Sequence, residues 1–173
     1  MDIPKKLLAA YDEQITLELT AETVYRQLAI ELDSLDLPGM ATWMRIQAEE
    51  EVVHANRFIS HVLDRGGHPR IGVIDPGDVT VETSVDAFNA ALKHEQKVSE
   101  SIRSLYRLAR EEDDLDSFPL LHNFINEQIE EESSVSEIIG RITKIGDDGP
   151  GILRLDAELG ARATVDPETT SGL

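Results

Sequence analysis

Glycine and proline, the residues that interrupt helices most strongly, are spread unevenly along this chain of 173 residues. Their spacing restricts the fold more than any single motif does. Residues 5–37, 40–65 and 78–118 contain neither. Pro38-Gly39 separates the first two windows, and Gly66, Gly67, Pro69, Gly72, Pro76 and Gly77 crowd the gap before the third. Pro119 heads a fourth segment, which Gly146, Gly149, Pro150 and Gly151 close. This punctuation predicts four long helices at about 4–36, 39–65, 84–112 and 117–146. Thr83 or Ser84 is placed to cap the third. A short fifth helix is expected at about 151–160, with Ile152, Leu153, Leu155 and Leu159 as its apolar residues. The last residues, 161–173, read as a flexible tail.

Connection lengths then set the topology. The first and third turns are short, so helices 1 and 2 form one antiparallel hairpin and helices 3 and 4 another. The link at 66–83 is long for a compact domain. A helix at 39–65 is about 40 Å long at its rise per residue. The link reaches at most about 60 Å when extended, enough to run from one end of such a helix to the other. The expected fold is therefore all-α: an antiparallel four-helix bundle with one long crossover between helices 2 and 3, plus a short fifth C-terminal helix. Residues 1–146 would form the bundle and 147–160 the fifth helix. Apolar runs at 71–74 and 79–81 pass for short strands, but an extended crossover accounts for them equally well.

The inward stripe of a bundle helix follows alternating steps of three and four residues. Helix 1 gives Glu18, Ala21, Tyr25, Leu28 and Leu32, and helix 2 gives Met44, Ala48, Glu51, Ala55, Phe58 and Val62. Helix 3 gives Phe88, Ala91, Glu95, Val98, Ile102, Leu105 and Ala109. Helix 4 gives Leu121, Phe124, Gln128, Glu131, Val135, Ile138, Ile142 and Ile145. Each stripe is apolar except near its middle, where it carries Glu18, Glu51, Glu95, or Gln128 with Glu131. In helices of similar length the middles lie side by side, so these groups converge inside the core. Buried carboxylates without a counter-charge are costly, and no Lys or Arg lies on the stripes. A bound cation is the remedy the pattern suggests. Hard and borderline metals take carboxylate oxygen and imidazole nitrogen. His54 completes Glu51-x-x-His54, which puts both side chains on one helix face. Di-iron carboxylate bundles use a Glu from each of two helices plus a Glu-x-x-His from the other two. Glu18 and Glu95 are the single glutamates here, while helix 4 offers Gln128-x-x-Glu131 in place of a second Glu-x-x-His. One metal would lie among Glu18, Glu51 and His54, and a second beside Glu51 and Glu95, with Gln128 and Glu131 close by.

Charge narrows the function classes. The chain has 34 Asp+Glu against 16 Lys+Arg, a formal charge of −18. So acidic a protein lacks the positive footprint that nucleic acids and anionic membrane surfaces require. No stretch is long and apolar enough for a membrane span. Without cysteine there is no disulfide, thiolate metal site or Cys nucleophile, and a reducing cytoplasm is the expected location. The first residues lack an apolar segment and a cleavage site, so no export signal is expected.

Four segments together carry a resemblance: 12–19 around Glu18, 48–55 around Glu51 and His54, 94–96 around Glu95, and 126–131 around Gln128 and Glu131. In order and spacing they resemble the ferritin family, specifically non-haem bacterial ferritins, over nearly the whole chain. The resemblance implies a ferroxidase centre within one subunit. Glu18, Glu51 and His54 would hold one iron, and Glu51, Glu95 and Glu131 the other, with Gln128 near the second. It further implies a third iron site at Glu50, Glu127 and Glu130, sharing Glu131, and a role for Tyr25 as an electron source beside the centre. It implies a hollow shell of 24 subunits, with the fifth helix near the four-fold axes. Two departures argue against haem: Val52 stands where bacterioferritins carry their haem-ligating Met, and the second His of their centre is missing. Phe118 and Leu121 stand where animal ferritins line their three-fold channels with acids, so iron uptake by that route is in doubt.

The expected function is iron storage and detoxification. Fe(II) would be oxidised by O2 or hydrogen peroxide and kept as ferric mineral inside the shell. Two alternatives are a di-iron or di-manganese oxidase acting on an organic substrate, which shares the ligands, and a haem-type bacterioferritin. A bundle whose acids merely solvate it is the third. His61, His68, His94 and His122 are expected at the surface or an interface, and Trp43, Met40 and Met44 in ordinary packing.

Overall fold

The computed structural model describes residues 2–161. It contains α1 (Lys5–Ser34), α2 (Pro38–Asp64), α3 (Ser84–Glu111), α4 (Phe118–Ile145) and α5 (Gly149–Gly160), with one 3-10 turn at Leu115–Ser117. Among the described residues there is no strand. The expected flexible tail, apart from Ala161, lies outside them.

Local chemistry explains the boundaries. Thr83 caps α3: its side chain accepts from the Asp86 N–H, and the Asp86 carboxylate accepts from the Thr83 N–H. This reciprocal box satisfies two donors that a helix start leaves unpaired. Asp36 and Asp113 turn the chain after α1 and α3 in the left-handed region, at φ 59° and 54°, which Asp tolerates better than most residues. Gly146, at φ 58°, ends α4. The fifth helix starts at Gly149, two residues earlier than expected, because Pro150 sits comfortably in a first helical turn.

Helix α1 packs against α2 and α3, α3 against α4, and α5 against α2 and α4. The link between α2 and α3 runs along the bundle as its length demands. Near one end, the N–H groups of Arg70 and Gly72 donate to Asp12 and to the Thr16 hydroxyl of α1, each at 2.8 Å. Toward the other end, Val79 and Val81 pack on the core. Helix α5 docks on the start of α2. Leu37, which precedes α2, offers no capping side chain. The Asp156 carboxylate caps instead, accepting from the Met40 N–H at 2.7 Å. The backbones meet so closely that a Cβ at Gly39 would stand 1.9 Å from the Asp156 carbonyl oxygen.

The apolar interior is divided in two. One cluster contains Tyr25, Leu28, Leu32, Met40, Trp43, Met44, Phe88, Ala91, Val135 and Ile138. The other contains Leu7, Tyr11, Ile15, Phe58, Val62, Val98, Ile102, Leu121 and Phe124. Between them, at mid-height, lies the polar layer predicted from the stripes. Trp43, Met40 and Met44 pack as expected.

A second polar group, not anticipated, ties the far end together. Arg65 donates to both Asp114 oxygens and to Ser117, and Ser117 accepts from Tyr11 at 2.7 Å. His61 joins this network 3.2 Å from the Ser117 hydroxyl and is half-buried. His94 is half-buried as well, and burial pushes it down to about 4. His68 and His122 are exposed.

Candidate metal centre

Four helices each place a polar side chain in the layer between the apolar clusters. Glu18 comes from α1, Glu51 and His54 from α2, Glu95 from α3 and Gln128 from α4, and all five are buried. Glu18, Glu51 and His54 bring one ligand atom apiece within 4.8 Å of one another. His54 Nδ1 lies 3.4 Å from Glu51 Oε2, with no hydrogen bond at either atom. Among the described residues only five buried side-chain nitrogens or oxygens lack a hydrogen bond, and three of them are here: Glu18 Oε2, Glu51 Oε2 and His54 Nδ1. Buried polar atoms are nearly always paired. Three unpaired atoms with lone pairs facing one another make a candidate cation site, because a metal accepts electron pairs from all three at once.

Glu95 is arranged differently. Its Oε1 accepts from the Tyr25 hydroxyl, and its Oε2 accepts from the Gln128 amide at 3.0 Å. Glu131 is half-buried at the edge of the layer rather than sunk in it like its stripe neighbours. Its Oε2 accepts from Gln47 at 3.0 Å. The outermost acids separate further. Glu50 and Glu127 are half-buried and Glu130 is exposed. Glu127 is bound through both oxygens, at 2.8 and 2.6 Å, by one nitrogen of Arg57. The stripes could not reveal that arginine, which lies off them.

The electrostatics follow from crowding in a dry place. Burial, then the charge of Glu51, raises the Glu18 carboxyl well above the usual range. Burial, then Glu95, does the same to Glu51. Burial also raises Glu95, although hydrogen bonds from Tyr25 and Gln128 pull the other way. Tyr25 is pushed up by its own burial and by Glu95.

Two supporting residues were missed by the stripe reading. Gln14 Nε2 donates to Glu18 Oε1 at 2.7 Å, and Ser101 in turn donates to Gln14. Gln47 plays the same part for Glu131. A signal was available: Gln14 and Gln47 stand four residues before Glu18 and Glu51, on the same helix faces.

The fold and this interior define a four-helix bundle whose centre is built of carboxylates and one imidazole. Residues 8–145 match the family model described as the ferritin-like domain. The bacterial non-heme ferritin of Bacteroides fragilis is 31% identical over 160 residues, covering 92% of this chain and 99% of the relative. That of Staphylococcus aureus is 31% identical over 166 residues, covering 96% and 99%. An engineered closed form of the Archaeoglobus fulgidus ferritin superposes with a TM-score of 0.92 at 31% identity, over 95% of this chain and all of the other. The chain belongs to the ferritin family, and iron storage is the function that this membership supports.

Proposed function

We propose that this chain oxidises Fe(II) with O2 or hydrogen peroxide at a di-iron ferroxidase centre within each subunit, and that the ferric product is stored as mineral in a closed homo-oligomeric shell. The observation that carries the reading is the trio of buried, unpaired ligand atoms on Glu18, Glu51 and His54. These three residues would take one Fe(II). Glu51, Glu95 and Glu131 would take the second, with Gln128 and Tyr25 beside it. Glu50, Glu127 and Glu130 would form an outer site. Residues 1–146 would act as the bundle and 147–160 as the docking helix.

Ferrous iron is the substrate here. Carboxylate oxygens bind the harder ferric ion more strongly than the ferrous one, so the ligand set itself favours oxidation. Two Fe(II) give up one electron each. One O2 takes both electrons with two protons and leaves as hydrogen peroxide, which can then accept two more electrons and two protons to become water. Metal binding displaces the protons that burial holds on Glu18 and Glu51, so filling the centre releases protons. Glu95 begins tied to Tyr25 and Gln128, so the second iron must compete with two hydrogen bonds. That favours a weaker second site and easier departure of the ferric product.

Membership of a family of ferritins supports a homo-oligomer, and 24 subunits is the proposed number. The solved ferritins similar to this chain include a closed form and an open-pore form, both from Archaeoglobus fulgidus. No helix among the described residues is long and apolar enough to cross a membrane. A cytoplasmic location and the absence of haem complete the proposal. One experiment tests most of it. The purified protein is sized on a column before and after Fe(II) is added in air. Ferric iron should co-elute with a particle of several hundred kDa. Iron that precipitates, or that stays with a particle of subunit size, counts against storage in a shell.

A further inference from the structure

Arg57 stands one turn beyond His54 on α2, just outside the buried layer. Its guanidinium carbon lies 4.1 Å above the centre of the Phe124 ring. That ring is buried, meets the edge of the His54 ring at 5.4 Å, and stacks on Phe58 at 4.2 Å. From this seat one guanidinium nitrogen holds both oxygens of Glu127. The Arg57 and Glu127 side chains are 26% and 36% exposed, so water and small cations can reach the pair without opening the core.

We propose that Arg57 is an internal competitor for iron at the outer site. It occupies Glu127 when no cation is present and makes that site the last to fill. This rests on the preceding assignment of Glu50, Glu127 and Glu130 as outer ligands. The argument is one of charge and geometry. A guanidinium hydrogen-bonded to both oxygens of a carboxylate occupies a lone pair on each, and a metal must displace it to take both oxygens. The stacking of the guanidinium on Phe124 does not depend on Glu127. When Glu127 swings to a metal, the positive charge therefore stays where it is and repels the incoming cation. An outer iron must overcome both effects. It gains enough only when the other acids already draw it, which is the situation at high Fe(II). The outer site thereby responds to iron in excess, while Glu18 Oε2, Glu51 Oε2 and His54 Nδ1 carry no hydrogen bond that iron must break.

The test is titration of the assembled, metal-free protein with Co(II) by calorimetry, for wild type, Arg57→Gln, Arg57→Lys, and each combined with Glu127→Gln. Arg57→Gln should tighten the third equivalent by about tenfold, a coupling typical of paired charges in contact, and leave the first two unchanged. Arg57→Lys keeps the charge but loses the planar stacking on Phe124 that fixes it in place, so its third equivalent should lie between those two. Glu127→Gln should cancel the gain in either background. If Arg57→Gln and wild type give superimposable isotherms, or if Arg57→Gln weakens the first two equivalents, Arg57 is not a competitor but a structural residue. Failure of the wild type to bind two tight equivalents would overturn the di-iron assignment itself, a result distinct from either of these.

Discussion

The Gln128 amide donates to the Glu95 carboxylate across 3.0 Å of buried space. An ionised glutamate at this position would face Glu95 as a second acceptor. The amide instead satisfies one oxygen of a carboxylate that burial would otherwise leave costly. Gln128 thus stabilises the metal-free centre, at the expense of a ligand for the second metal.

Gln128→Glu should therefore invert that balance. Metal-free, the variant loses a hydrogen bond to a buried acid and gains a like charge, a loss of about 1–3 kcal/mol for the missing donor alone. With Co(II) present the deficit should shrink or reverse, because the new carboxylate can bind metal. Urea denaturation with chelator and with Co(II) measures both. Equal stability of variant and wild type in chelator would show that the hydrogen bond does not matter.

The pH dependence of metal-free stability has a definite sign. Glu18 and Glu51 hold their protons far above 4.5 when folded, whereas the unfolded chain releases them near that value. Where the unfolded state binds fewer protons than the folded one, stability falls as pH rises. His94 acts oppositely. Its folded value of about 4 lies below the ordinary 6.5, so its contribution is complete above pH 6.5 and is lost as pH falls toward 4. A melting temperature that declines as pH rises above 6.5 in chelator belongs to the acids. Glu18→Gln should flatten that decline. A rising melting temperature over the same range would contradict the crowding of unneutralised carboxylates.

Glu18→Ala and His54→Ala should each abolish rapid Fe(II) oxidation while leaving the fold intact. Stopped-flow absorbance of the ferric product after one addition of two Fe(II) per subunit reads this directly. Fast-phase kinetics close to wild type in either variant would sink the assignment of the first iron position.

Glu130→Ala is a milder change, since that side chain is exposed and outside the buried layer. It should alter repeated turnover more than the first burst. Successive additions of Fe(II), followed by oxygen consumption, separate the two. An unchanged profile over many additions would remove Glu130 from the outer site.

Much of this was legible because inward stripes leave a periodic trace. Glu18, Glu51 and Glu95 are fully or almost fully buried where the alternation of three and four placed them. Glu131 shared the alternation but lies at the margin of a helix face, and periodicity does not resolve depth across one stripe. The partners of the centre were harder to see. Arg57 and Glu127 are 70 residues apart, and Arg65 and Asp114 are 49 apart. Nothing local marks either pair, because their meeting depends on how two hairpins are set against each other. Gln14 was readable in principle, since a donor one turn before the buried acid it serves is a local pattern, whereas Gln47 reaches Glu131, 84 residues away.

Gly39→Ala should detach α5 and spare the bundle. A Cβ there would collide with the Asp156 backbone, so α5 cannot stay where it lies. Helix content by circular dichroism should fall little, while the sizing profile should shift if docking of α5 is needed for the shell. An unchanged profile would show that assembly does not depend on this helix.

The division of the apolar interior into two clusters has a mechanical meaning. Each half of the bundle holds together through its own greasy contacts, and the two communicate across a floor of acids, amides and one imidazole. That floor, where buried acids crowd without a cation beside them, is the costliest layer of the interior. Iron held there as proposed would act as a rivet joining all four helices at their waist. The subunit would then be sturdiest while working on iron and most compliant when ready to receive more.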